Sequence, residues 1–352
     1  MASTAATRPA RDPPDKVTDA PPSPYLLFLG DTVEHSYAKT AFGLCDWAPE
    51  RCVGELVLTG ATVTTGLASL QPGEAFERGA RALLIGVATR GGQIPESWLP
   101  TLIEALGAGL DIVSGMHDRL TDISVLAAEA DRLGRRLIDV RGPPENVPIA
   151  TGRKRSGRRL LTVGTDCALG KKYTALSIVR GLSARGLDVD FRATGQTGIM
   201  IAGAGIPIDA VVSDFVAGAA ELLSPDAPPD HLDVIEGQGS LFHPSYAAVT
   251  LGLLHGSQPD LFVVCHDPGR THVLGLPDVA LPSIEEVIAQ TVALGRLVNP
   301  EIRCCGISLN TSALDDDAAA QVIAATSRRL GLPVADPVRG IGLKALLDAC
   351  AA

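Results

Sequence analysis

The stretch LLTVGTDCALGKKYTAL, residues 160–176, decides how this chain is read. It opens as a run of aliphatic residues typical of a buried strand, turns at Gly164, crosses a short loop to Gly170-Lys171, and continues with apolar residues at helical spacing. A strand, a glycine-bounded loop and a helix in that order make a cradle for phosphate. The glycines let backbone N–H groups turn inward, the helix N-terminus adds partial positive charge, and Lys171 adds a full one. Gly164, Thr165, Asp166, Gly170, Lys171, Lys172, Tyr173 and Thr174 are therefore the predicted cofactor-binding residues. Two departures from G-x-x-x-x-G-K-[ST] narrow the chemistry. Five residues stand between Gly164 and Gly170 where the pattern has four, and Lys172 occupies the place of the hydroxyl that would coordinate Mg²⁺. Such a loop suits a ligand whose phosphates are held without being cleaved, and no metal is expected at the site.

Outward from this stretch, short apolar runs alternate with helical segments, the pattern of parallel strands joined by crossover helices. Downstream, strands are predicted at LDVDFRATG, LDVIEG, LFVVCHD and RCCGISLN, and DDAAAQVIAATSRRLGLPVADP closes the sheet as a helix ended by Gly331 and a last strand. Upstream, YLLFLG (25–30), RALLIGVA (81–88), LDIVSGM (110–116) and RRLIDVR (135–141) read as strands of a smaller doubly wound α/β domain. The pattern breaks from residue 142, where proline, glycine and the basic run GRKRSGRR suggest a solvated hinge. The expected organisation is a disordered tail over 1–24, an α/β domain over 25–145, a linker over 146–159 and a phosphate-loop α/β domain over 160–352. Apolar residues at 208–223 follow helical spacing.

In parallel α/β sheets ligands sit at the carboxyl ends of strands, so the residues after each strand carry the remaining candidates. LDVIEGQGSLFHPSY places Glu236 at a strand end, suited to proton transfer or to an ammonium, with Gln238 and His243 following. LFVVCHDPGRTHV gathers His266, Asp267 and Arg270, the last able to clamp a carboxylate through two parallel hydrogen bonds. Gln196 ends another strand near the loop, and Arg90 and Arg119 lie in first-domain loops that face a cleft between the domains.

Composition limits the partners. The chain has 352 residues and a net charge of −10, which offers no broad cationic face for nucleic acid, and only 4% aromatic residues, too few for base-stacking platforms. Its seven cysteines show no Cys-x-x-Cys pair or zinc spacing and read as reduced thiols of a cytoplasmic protein. No apolar stretch is long enough for a membrane helix. A small-molecule substrate and a homo-oligomer are expected.

GTDCALGKK followed by IEGQGS resembles the dethiobiotin synthetase group of P-loop proteins, which implies a P-loop NTPase-like second domain after a Rossmann-like first one. More closely, GTDCALGK, TGQTGIMIAG, SDFVAGAAE, IEGQGSLFHPSY, TLGLLHGSQPD and GISLNTSAL together resemble a bacterial family assigned as D-glutamate N-acetyltransferases. That resemblance implies acetyl-CoA as co-substrate, its phosphates on the loop and its acetyl passed to the α-amine of D-glutamate or a related D-amino acid. Glu236 would then be the general base, with His266 or Asp267 as alternatives. Gln196, Gln238, His243, Arg270, Arg90 and Arg119 would contact the amino acid. The competing expectation is an ATP-dependent kinase or ligase of the dethiobiotin synthetase type, which Lys172 opposes.

Overall fold

The two series of apolar runs become two parallel sheets. A computed structural model describes residues 21–88, 90–142 and 144–352, with the backbone alone for Arg90. The first sheet contains β1 (Tyr25–Gly30), β2 (Cys52–Val57), β3 (Ala82–Ile85), β4 (Asp111–Ser114) and β5 (Leu137–Asp139), in the order β2-β1-β3-β4-β5 with every pair parallel. Its helices are α1 (Lys39–Trp47), α2 (Pro72–Glu77), α3 (Leu99–Gly107) and α4 (Ser124–Leu133). This strand order reverses direction at β1, so the segment after β1 opens onto the crevice where doubly wound sheets take ligands.

The second sheet is built from β6 (Arg158–Gly164), β7 (Val189–Arg192), β8 (Leu232–Ile235), β9 (Leu261–His266), β12 (Arg303–Leu309) and β13 (Val334–Ala335), in the order β13-β12-β9-β6-β8-β7, again all parallel. Between β9 and β12 the chain makes a separate antiparallel hairpin of β10 (His272–Val273) and β11 (Leu276–Ala280). The helices are α5 (Lys171–Ser183), α6 (Gln196–Ala202), α7 (Val216–Leu223), α8 (Ala247–Ser257), α9 (Ile284–Gly295), α10 (Asp316–Leu330) and α11 (Leu343–Ala351). Gly331 ends α10 in the left-handed region at φ 65°, as the sequence predicts. β6 is buried on both faces: Leu161 and Val163 join one apolar cluster with Ile235 and Phe262, while Leu160 joins another with Ala175 and Val234. β6 lies between β8 and β9, so the phosphate loop, Glu236 and His266 emerge side by side at the carboxyl edge.

Four expectations change. The basic run is not a solvated hinge: Arg155 and Arg159 are 6% and 1% exposed. Arg155 donates to the carbonyls of Ser224 at 2.7 Å and Gly256 at 2.8 Å, and Arg159 to those of Ser156 and Pro225 at 3.0 Å. Helices α7 and α8 leave carbonyls without intrahelical donors at these ends, and a guanidinium supplies several donors at once. The edge strand β2 escapes the sequence pattern because it carries Gly54 and the buried Glu55, whose carboxylate accepts from the Thr65 N–H at 2.6 Å. Residues 208–223 do not form one helix. Val211 and Val212 are extended, and only the stretch from Val216 is α-helical. Finally, Gln196 does not end a strand but begins a helix, Gln196–Ala202, the strand having stopped at Arg192. Of the expected tail, residues 1–20 lie outside the described residues, and Pro21 is buried, accepting from the Tyr25 hydroxyl at 3.2 Å.

Candidate active site

The loop after β6 is pinned from behind by Asp166. Its side chain is fully buried; Oδ1 accepts from the Cys167 N–H at 2.6 Å, and Oδ2 from Arg270 at 2.9 Å and from the Leu274 N–H at 2.8 Å. Arg270 also donates to the Cys167 carbonyl at 2.8 Å. Its guanidinium is thus committed to the loop and not open toward the cleft as a carboxylate clamp. Thr165 shares a hydrogen bond with His266 Nδ1 at 3.0 Å, and Gly164 packs against the Cys265 carbonyl, where an added Cβ would come to 3.1 Å. Gly170 caps α5 with φ 97°, a backbone state that a side chain would strain.

Lys171 is not the surface lysine its place in a loop suggests. It is buried, its Nζ donates to the Asp166 carbonyl at 2.7 Å, and burial pushes its pKa down. Thr174 turns away toward β12, where its hydroxyl meets that of Ser308 at 2.7 Å. Lys172 and Tyr173 face the first domain. The Tyr173 hydroxyl donates to Asp46 at 2.7 Å.

Glu236 lies one residue beyond β8 and is 4% exposed. Its Oε2 accepts from the Thr194 N–H at 3.0 Å and the Gly195 N–H at 3.1 Å. Burial raises its pKa, opposed by the charge of Lys172 and by those two N–H groups. Gly237 is required beside it, because a Cβ there would clash with the Thr162 carbonyl. Gln238 donates to the Thr194 hydroxyl at 3.0 Å.

A cavity of about 760 Å³ joins these pieces. One wall carries Lys171, Lys172 and Tyr173, another Gln196, Glu236 and Gln238, and the first domain closes it with His35, Ser36, Lys39, Phe42 and Asp46. The domains meet tightly here. The hydroxyls of Thr40 and Thr197 are 2.9 Å apart, the Arg180 guanidinium lies 4.0 Å over the Trp47 ring, and Ile199, Met200 and Ile201 of α6 belong to the first domain's apolar cluster. On the other side of the loop a second cavity of about 450 Å³ is lined by Thr174, Ser308, Asn310 and Asp336, and shares Leu169, Gly170 and Tyr173 with the first.

The structure therefore unites the loop, Gln196, Glu236 and Gln238, and sets other candidates apart. His266, whose pKa burial lowers, and Asp267, which accepts from the Gly269 N–H at 2.9 Å, stand outside the lining of the larger cavity. His243 is buried, accepts from the Ser245 N–H at 3.1 Å, and points Nε2 at Asp166 from 3.9 Å. With Cys167 these two could surround a cation, but Arg270 already supplies that carboxylate with positive charge. Arg119 is exposed and outside the cavity lining, and the side chain of Arg90 lies outside the described residues. Sequence reasoning missed the contribution of His35–Asp46. Its place after β1 was the one signal, but that the sheet order reverses at β1 emerges only in the fold.

Residues 148–347 match the family described as "Domain of unknown function (DUF1611_C) P-loop domain", and residues 51–143 its partner, "Domain of unknown function (DUF1611_N) Rossmann-like domain". The chain is 49% identical over 330 residues to a curated D-glutamate N-acetyltransferase of Tritonibacter scottomollicae, covering 94% of this chain and 99% of that relative. It is 48% identical over 316 residues to another protein of that name from a Pseudoalteromonas species, covering 90% and 95%. A crystal structure of a DUF1611 family protein from Anabaena variabilis superposes with a TM-score of 0.82 at 36% identity, covering 92% of this chain and 98% of that one.

Proposed function

The chain belongs to the DUF1611 family, and from that membership we propose that it transfers acetyl from acetyl-CoA to the α-amine of D-glutamate. The observation that carries this is the likeness to the two curated D-glutamate N-acetyltransferases, which extends over 94% and 90% of the chain and so takes in both domains.

The geometry supports the reading. Coenzyme A brings phosphates, an adenosine and a long thiol-bearing arm. The loop and the N-terminus of α5 receive the phosphates, with Lys171 turning from the Asp166 carbonyl to meet them. The smaller cavity suits the adenosine, and the arm then runs past Gly170 and Tyr173, which both cavities share, into the larger one. D-Glutamate brings an ammonium and two carboxylates. Glu236, held by two N–H groups, receives the ammonium, with Gln196 and Gln238 beside it. Lys39, at the start of α1, faces the carboxylates. Because Lys172 replaces the hydroxyl that would hold Mg²⁺, turnover proceeds without a divalent metal. Among the described residues no helix is long and apolar enough to cross a membrane, in keeping with a cytoplasmic enzyme acting on small molecules.

The test is release of coenzyme A thiol from acetyl-CoA with D-glutamate, in EDTA and without ATP. Thiol release dependent on the amino acid is expected. Turnover that instead requires ATP and Mg²⁺ would overturn the assignment in favour of a kinase or ligase.

A further inference from the structure

Acetyl transfer requires a group that takes a proton from the substrate ammonium before its nitrogen can attack. The cavity holds two carboxylates: Asp46 accepts from the Tyr173 hydroxyl, and Glu236, although burial raises its pKa, has Oε2 fixed by two N–H groups, which suits holding an ammonium in place. Lys172 is built differently. It stands on the first turn of α5 with its Nζ reaching the first-domain wall, where a Cβ on Gly43 would come within 3.3 Å of it. The Nζ lies 5.3 Å from the centroid of the Tyr173 ring. Among the described residues it has neither a hydrogen-bond acceptor nor an ion-pair partner, whereas the adjacent Lys171 is tied to Asp166.

We propose that Lys172, as a neutral amine, is the proton acceptor for the substrate ammonium, with Glu236 the fixed anion that presents that ammonium to it. The inference rests on the acetyl-transfer reading and moves the base from Glu236 to Lys172. Charged groups face Lys172 from each side: Glu236 from the end of β8, and Lys39 and Asp46 from α1. Burial outweighs them and brings its pKa down to about 8, so an unprotonated fraction exists near neutrality. Lys172 takes one proton, the freed amine nitrogen bonds to the thioester carbonyl carbon, and the carbon–sulfur bond breaks as the adduct collapses. The thiolate leaves with that electron pair and takes up the second proton shed by the attacking nitrogen, giving the amide and the free thiol, while Lys172 gives the first proton to water and returns to the neutral amine.

The experiment compares the full-length chain with Lys172→Arg and Lys172→Ala, following thiol release against pH, coenzyme A binding by calorimetry, and rescue by added primary alkylamines. For the unaltered chain kcat/KM should fall on the acid side with an apparent pKa near 8. Both variants should lose about 10²–10⁴-fold in rate while binding coenzyme A normally. Alkylamines should restore part of the activity of Lys172→Ala. Near-parental turnover by Lys172→Arg, or an acid limb unchanged in Lys172→Ala, would overturn the inference alone, since a fixed cation or another base would then suffice. Absence of thiol release by the unaltered chain would overturn the proposed activity and this inference with it.

Discussion

Arg270 and Asp166 form an ion pair at 2.9 Å that straps the hairpin segment to the back of the phosphate loop, and the same guanidinium holds the Cys167 carbonyl at 2.8 Å. Loop geometry and cofactor affinity therefore depend on a residue that does not line either cavity. Lys at this position keeps the charge but not the planar fork. Arg270→Lys is expected to raise the KM for acetyl-CoA by about tenfold, consistent with part of a charge-assisted set worth about 1.5–3 kcal/mol, and to leave the KM for D-glutamate nearly unchanged. Steady-state kinetics with each substrate varied in turn decide it. A change confined to the amino acid would place the guanidinium in the substrate pocket instead.

Arg155 is a second buried guanidinium with a structural task. It serves the carbonyls of Ser224, Gly256 and Ser257 and lies 3.6 Å from Glu221. Arg155→Met should destabilise the fold by about 1–3 kcal/mol, because it leaves the carbonyls of Gly256 and Ser257 without this donor, while Glu221 keeps the N–H groups of Thr151 and Gly152. Urea denaturation measures this, and a loss under about 0.5 kcal/mol would mean that water reaches these groups.

That arginine also marks where the sequence is legible and where it is not. Strands such as YLLFLG and LFVVCHD declare themselves because both faces are buried, and the strand-loop-helix order of residues 160–176 is local. Arg155 and Arg159 look like a solvated run because the carbonyls they reach at the ends of α7 and α8 lie 65 or more positions away in sequence, in addition to the local ones that Arg159 meets. Glu236 is readable from its place after a strand. Lys39 and Asp46 are not, since their role comes from a different domain folding over the loop. Arg270 shows the converse error: its type and position are right for carboxylate binding, but the carboxylate it meets is the protein's own.

Gly198 on α6 leaves the space that Glu236 occupies. A Cβ there would clash with Glu236 Oε2, so Gly198→Ala must push the carboxylate off the Thr194 and Gly195 N–H groups. Overpacking of this kind costs about 1–3 kcal/mol of stability. The displacement should reduce kcat by about 10²-fold, the order expected for a misplaced group in a reacting site. Denaturation and single-turnover rates on the same variant check both. Full activity would show that Glu236 need not sit on those two N–H groups.

Lys172 and Glu236 are two buried groups of opposite sign whose pKa values burial moves in opposite directions, the lysine down to about 8 and the glutamate up. Each shift sets a pH window. For Lys172 the unfolded chain binds more protons between about 8 and 10.5, so its burial costs most below that range and the cost fades as pH rises through it. For Glu236 the folded pKa lies above the ordinary 4.5, so stability is fully present below that value and falls as pH climbs past it toward the folded pKa. Each shift already includes the attraction of the other group, so the charge on either one costs stability, and both Lys172→Met and Glu236→Gln should raise the melting temperature at neutral pH. The double variant removes both buried charges and should be more stable than the parent by about 1–4 kcal/mol, the order found when buried charged groups are replaced by neutral ones of similar size. Its advantage should grow as pH rises past 4.5 and shrink between 8 and 10.5. Thermal melts of the four proteins across pH test this. A double variant less stable than the parent throughout would show that the two charges are a net source of stability, not the cost of a site shaped for chemistry.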